Sequence, residues 1–140
     1  MQRLFLTAVL VRDYDEAIAF YVDRLGFELR IDERLSDTKR WVVLAPHGGG
    51  QGCILLAKPE VPEQIARIGD QTAGRVFLFL DTDDFERDYR TYSNRGVRFL
   101  EAPRVEDYGT VAVFEDLYGN RWDLIQHTGY FSLGPAPRSP

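Results

Sequence analysis

The 140 residues include a single cysteine and only two histidines. One thiol can form neither an internal disulfide nor a thiolate metal cluster, which excludes disulfide-stapled and zinc-knuckle scaffolds. Cys53 lies in the apolar run "GCILLA", where a buried, inert thiol is expected. No stretch approaches the roughly 18 apolar residues of a membrane span, and residues 1–11 lack the layout of a signal peptide. Basic residues are outnumbered, 17 Lys and Arg against 22 Asp and Glu, for a net charge of −5, and no Lys/Arg stripe offsets this. Such a chain repels phosphate backbones, so neither nucleic acid nor an anionic membrane is an expected partner. Without an export signal or a disulfide, a reducing cytoplasm is the expected compartment. What the chain does have, 44% hydrophobic and 28% charged residues, fits one globular domain or two small halves sharing a core.

The halves are visible as a repeat. "DYDEAIAFYVDRLGFEL" (13–29) and "DDFERDYRTYSNRGVRF" (83–99) each open with Asp followed three residues later by Glu. Asp13/Glu16 and Asp83/Glu86 thus have the form of helix-starting capping boxes. Apolar residues recur at helical spacing, Ala17, Ile18, Tyr21 and Leu25 in one, Phe85, Tyr89 and Tyr92 in the other. Gly26 and Gly96 close the two helices in the position that favours a left-handed residue. The offset is 70 residues at each landmark, half the chain, and signals a duplication. Strand-like runs flank the helices at 4–11, 27–33, 41–45 and 53–57, then at 75–81, 97–101, 110–115 and 121–126. Each half therefore reads βαβββ, and the fold class is α+β, with two curved sheets around a concave cavity. The expected domain is 1–128, with repeats at about 4–58 and 75–127 joined by a linker at 59–74. Within the linker, "PEQIARIG" has Pro62 placed for a first helical turn and Gly69 for a stop. The Pro/Gly-rich tail 129–140 is expected to be an irregular extension, with packing on a partner subunit as the alternative.

On these pieces, "VRDYDEAIAFYVDRLGFEL" at the front, "RGVRFLEAP" between and "VAVFEDLYGNRWDLIQ" at the back, the chain resembles the vicinal oxygen chelate superfamily. That group holds glyoxalase I, the bleomycin-resistance binding proteins and the extradiol dioxygenases. The resemblance spans residues 4–126 and implies a scaffold that is often dimeric and often binds a metal. It fixes the fold better than the function, because one fold hosts many chemistries. The metalloenzymes of the family place His, Gln or Glu ligands on four strands. The corresponding positions here fall on Leu6 (or Phe5), Leu55 or Leu56, Arg75 (or Val76), and Asp123. Leucine and phenylalanine have no donor atoms and arginine repels a cation, which leaves one carboxylate. No metal and no other cofactor is expected.

Strand alternation then assigns faces. In "RWDLIQ", Trp122 and Leu124 should pack under a helix, turning Arg121, Asp123 and Ile125 to the concave side. The same reasoning puts Arg75, Phe77 and Phe79 on that side. A carboxylate in a partly apolar hollow is costly to ionise alone, so an Arg75–Asp123 ion pair is expected in place of the metal. The rival is an Arg75 that points to solvent. The remaining expected lining is Leu6, Ala8, Trp41 and Val43, with Tyr108 at the mouth. These walls suit a flat or apolar small molecule. The catalytic candidates are Asp123, as a base, and His47 in the loop "PHGGGQG"; His127 is expected at a solvated rim, and Glu115 and Asp116 exposed before a turn.

Three functions fit the pattern: a metal-independent small-molecule binder, likened to the bleomycin-resistance members; an enzyme of the glyoxalase or dioxygenase kind with displaced ligands, or a metal-free lyase or isomerase; and a structural or regulatory homodimer without a ligand.

Overall fold

Asp13 starts the first helix as expected, its side chain accepting a hydrogen bond from the Glu16 amide at 2.9 Å. In the second half the cap is Asp84 rather than Asp83: Asp84 has extended backbone and accepts from the Arg87 amide at 3.1 Å. Asp83 instead pairs with the Arg87 guanidinium at 2.8 Å. The computed structural model describes residues 1–49 and 52–128, so the expectation for the tail lies outside the described residues.

The first half runs β1 (Leu6–Leu10), α1 (Tyr14–Ala19), β2 (Glu28–Arg34), β3 (Arg40–Ala45) and β4 (Cys53–Ala57). After α2 (Pro62–Ile65), the second half runs β5 (Val76–Asp81), α3 (Phe85–Asn94), β6 (Arg98–Phe99), β7 (Arg104–Glu106), β8 (Gly109–Glu115) and β9 (Arg121–His127). The sheets are β1-β4-β3-β2 and β5-β9-β8-β6, with β7 also paired to β8. Each half thus builds its own sheet, opening with a parallel pair, β1 with β4 and β5 with β9. β7 was not legible in the sequence: it has three residues, and its one apolar side chain, Val105, is 82% exposed.

The helices differ in one respect. α1 continues into a π-helical segment, Phe20–Arg24, in which the Leu25 amide reaches back to the Phe20 carbonyl at 3.3 Å. The first helix is one residue longer from cap to closing glycine than the second, and the wider turn absorbs that residue. Both then end on a left-handed glycine, Gly26 at φ +73° and Gly96 at φ +82°.

The helix-side faces of both sheets merge into one core. Val9 of β1, Val11 just after it, Leu44 of β3 and Leu56 of β4 are buried with Phe114 of β8 and Trp122 and Leu124 of β9. Trp122 touches rings from both halves, Phe27 at 5.8 Å and Phe114 stacked at 6.0 Å between centroids. The Tyr92 hydroxyl donates to the Leu25 carbonyl across the halves at 3.1 Å. Because the helical faces meet, the other face of each sheet is turned away from this core.

Gln71 and Gly69 fasten the linker to the two halves. The Gln71 side chain accepts from the Leu10 amide (2.7 Å) and donates to the Ala8 carbonyl (3.0 Å), continuing the ladder along the open edge of β1. Gly69, left-handed at φ +77°, lies so close to the β8–β9 turn that a Cβ there would sit 1.9 Å from the Tyr118 carbonyl oxygen. Among the described residues, no helix is long and apolar enough to cross a membrane.

Candidate functional site

The β8–β9 ladder sets the faces. Trp122 stands opposite Phe114 and Leu124 opposite Ala112 on the core side, while Asp123 pairs with Val113 and Ile125 with Val111 on the free side. On the parallel side, Phe79 of β5 is the register partner of Asp123, and Asp81 that of Ile125. This side of the second sheet therefore brings together Phe79, Asp123 and Ile125, as strand alternation predicts, but Ile125 and its partner Val111 are buried and only Phe79 and Asp123 are left with exposed surface among the three candidates.

It does not bring in Phe77 or Arg75. A register shift between Val76 and Leu78 leaves Phe77 at a bulge, and its ring packs against the shared core. Arg75 precedes β5. Its amide donates to the Thr72 carbonyl at 3.2 Å, and its own carbonyl accepts from the Thr72 hydroxyl at 2.6 Å. The expected Arg75–Asp123 ion pair is not among the ion pairs of the described residues. The charges that act on Asp123 are Arg104 and Glu101. Arg104 is committed elsewhere, its Nε 3.1 Å from Glu101 and its Nη1 2.7 Å from Glu106.

Among the described residues, Asp123 is consequently a half-buried acid without a hydrogen-bonded cation. Burial raises its pKa above the ordinary carboxylate range, with Arg104 pulling it down in part and Glu101 pushing it up further. Its Oδ1 is shut off from water and has no hydrogen-bond partner among the described residues. Beside it, Phe79 is 66% exposed. At the end of the same face, His127 places Nδ1 2.9 Å from Asp81 Oδ1, with the histidine side chain only 22% exposed. His127 is thus a paired, largely covered residue rather than a solvated one.

The first-sheet candidates occupy the other free face. Leu6 pairs with Cys53 and Ala8 with Leu55, and Val43 of β3 is also opposite Leu55. Trp41 lies two residues before Val43 and shares its side. Cys53 is partly exposed on this face rather than buried. Within one chain the candidates from the two sheets therefore lie on separate surfaces. Tyr108, half-exposed, sits at the β7–β8 turn, where its carbonyl accepts from the Thr128 amide at 2.9 Å. His47 is exposed, 3.9 Å from Glu28, and lines a separate cleft of about 700 Å³ beside α3. It is not gathered with Asp123.

Asp116 corrects the sequence reading most strongly. Expected to be exposed, it is 5% exposed. Its Oδ2 accepts from the Tyr21 hydroxyl at 2.7 Å and the Asn120 side-chain amide at 2.9 Å; its Oδ1 accepts from the backbone amides of Tyr118 (3.0 Å) and Asn120 (2.9 Å). Burial, with Asp116 alongside, holds the Tyr21 hydroxyl protonated far above its ordinary range. The available signal was the spacing D-x-x-G-N, because an Asp two residues before a turn amide commonly closes on it.

The donor set does not fit a metal at the family position. Leu6 and Leu55 offer no ligand atom, Arg75 stands outside β5, and no three His, Cys, Asp or Glu side chains among the described residues are grouped to hold an ion.

Residues 3–124 match the sequence profile of the Glyoxalase/Bleomycin resistance protein/Dioxygenase superfamily. An uncharacterized protein of Shewanella frigidimarina (strain NCIMB 400) is 53% identical over 126 residues, covering 89% of this chain and 93% of that relative. The crystal structure of TnmS3, an antibiotic binding protein from Streptomyces sp. CB03234, is 30% identical with a TM-score of 0.76, covering 91% of this chain and 98% of that one. A superfamily member from Sphaerobacter thermophilus DSM 20745 is 29% identical with a TM-score of 0.77 at the same coverage.

Proposed function

The chain belongs to the glyoxalase/bleomycin resistance protein/dioxygenase superfamily, and from that premise we propose that it binds a small, partly aromatic molecule without a metal. The observation that carries this reading is Phe79, 66% exposed beside a half-buried carboxylate that has no hydrogen-bonded cation among the described residues. A large ring left open next to an under-solvated polar group is the composition of a ligand wall. The likeness to an antibiotic binding protein supports the same class of ligand.

A homodimer completes the proposal. One chain presents Phe79 and Asp123 on one free face and Leu6, Ala8 and Trp41 on another, with Val43 buried on that same side. A second copy can set the latter opposite the former and enclose a cavity. Exposed Leu4 and Phe5, next to β1, add apolar surface for such an interface. A second reading, a metal-free lyase or isomerase with Asp123 as general base, is favoured by one observation. Asp123 lacks the arginine that would have neutralised it, and burial moves its pKa toward the working range of a base.

A thermal-shift screen of planar aromatic compounds on the metal-stripped protein, with Phe79→Ala alongside, tests the binding reading. Hits that stabilise the wild type and lose their effect in F79A support it. Stabilisation that appears only with added divalent metal would overturn it. Turnover of a hit that disappears in Asp123→Asn while binding persists would select the enzyme reading.

A further inference from the structure

We propose that the ligand taken on the second sheet's free face carries a protonated amine on an aromatic scaffold, with Asp123 as its counter-ion and Phe79 as its platform. This rests on the reading of that face as a binding face and adds the charge of the ligand to it.

The two oxygens of Asp123 differ in their surroundings. Oδ1 is enclosed and meets no donor, so hydration of the carboxylate falls on Oδ2, on the open side. A carboxylate that has lost half its solvation gains more from a cation than from a neutral donor. Among the described residues no such cation stands at bonding distance. Arg104, the nearest positive influence, already bonds to Glu101 and Glu106, and Arg121 turns its Nη1 to the Gly74 carbonyl at 2.8 Å. Phe79 is the register partner of Asp123 across the parallel pair, which sets an open ring face one strand spacing from the carboxylate. A cation held by a carboxylate over a ring is stabilised twice, by charge pairing and by the ring quadrupole. A neutral aromatic ligand uses only the ring, and an anionic one is repelled by Asp123. On the same face Asp81 lies 2.9 Å from His127 Nδ1 and Glu115 3.4 Å from Arg98, which leaves Asp123 as the acid without such a contact among the described residues.

The test uses three probes with one ring system and different head groups: 1-naphthylmethylamine, 1-naphthylmethanol and 1-naphthylacetate. Each is titrated into the full chain at neutral pH, and Kd is read from NMR shifts of Phe79 and its neighbours. The expected order is amine tightest, about tenfold over the alcohol, and acetate weakest. In Asp123→Asn the amine-to-alcohol ratio falls to about one, because shape is kept and charge is lost. Equal binding of amine and alcohol to the wild type, or a ratio that survives in D123N, overturns the amine proposal and leaves the binding face standing. If none of the three probes shifts the Phe79 resonances, the binding reading falls with it.

Discussion

Tyr21→Phe removes one oxygen and keeps the ring, which makes it a clean test of how the two halves are held together. The lost group is the hydroxyl that donates to Asp116 Oδ2 at 2.7 Å, between residues 95 positions apart. Tyr21 is fully buried and Asp116 is 5% exposed, so water cannot replace the bond. A hydrogen bond to a charged acceptor in such a site is worth about 1.5–3 kcal/mol. The rings around Tyr21, Phe27 at 5.4 Å and Trp122 at 5.9 Å, keep their contacts in the variant, so no cavity cost adds to that figure. For a chain of this size the loss corresponds to a drop in Tm of roughly 5–10 °C. Urea unfolding followed by tryptophan fluorescence gives the free energy, and the slope m should not change. Asp116→Ala strands three further donors and should cost more, about 3–5 kcal/mol. In a double-mutant cycle the two losses should overlap rather than add. A Tyr21→Phe variant within about 0.5 kcal/mol of wild type, the range of an inert surface change, would refute the claim that this bond couples the halves.

Asp123→Asn should raise stability at pH 7. Burial lifts the folded pKa of Asp123 above its ordinary value, so the folded state disfavours the ionised form. The native penalty is absent below the unfolded pKa and grows as pH rises through the folded one. Melting curves from pH 3 to 7 should show the advantage of D123N appearing upward through that window, and no advantage at pH 7 would contradict the raised pKa. Gly69→Ala combines φ +77° with a Cβ 1.9 Å from the Tyr118 carbonyl oxygen, so the linker must leave the β8–β9 turn; a Tm loss of several degrees, larger than for Gly48→Ala in open space, is the expected result. Gln71→Ala should accelerate amide hydrogen exchange at Leu10, whose donor it leaves unpaired. Cys53, the one thiol, should react with a maleimide in dilute protein and be protected as the concentration rises if two copies cover that face.

Features governed by one local rule were legible from the residues. Asp13 acts through its side chain on an amide three residues on, Gly26 and Gly96 act through their own backbone, and the alternation of Trp122, Asp123 and Leu124 holds because β8 and β9 pair without interruption. The misreadings occur where neighbours compete. Asp83 and Asp84 both suit a cap, and the choice falls to Asp84 because Arg87 engages the carboxylate of Asp83. Phe77 sits at a bulge, which reverses the side that counting assigns and also removes the basis for placing Arg75 beside Asp123. The burial of Asp116 depends on Tyr21, a partner that no local pattern supplies. Of the candidate site, Asp123 and Phe79 were found together because they are register partners; the separation of the two free faces was hidden, since it follows from helices packing between the halves.

Asp116 and Asp123 lie seven positions apart, at and beyond the β8–β9 turn, and they resolve the same problem in opposite ways. Neither forms an ion pair among those of the described residues. Asp116 meets four donors and is closed to solvent, which makes it a fastener: any ligand would have to break bonds to reach it. Asp123 meets none among the described residues, keeps one oxygen toward the open face, and has an uncovered ring beside it. An unsatisfied acid could be relieved by a single change to asparagine or leucine, and that change is predicted to stabilise the chain. A residue whose removal stabilises the fold has no structural reason to be an acid, so its reason lies in what it contacts from outside. The pH-dependent stability of D123N and its loss of amine preference are therefore linked predictions: the first measures how poorly the fold satisfies this carboxylate, and the second measures what does satisfy it.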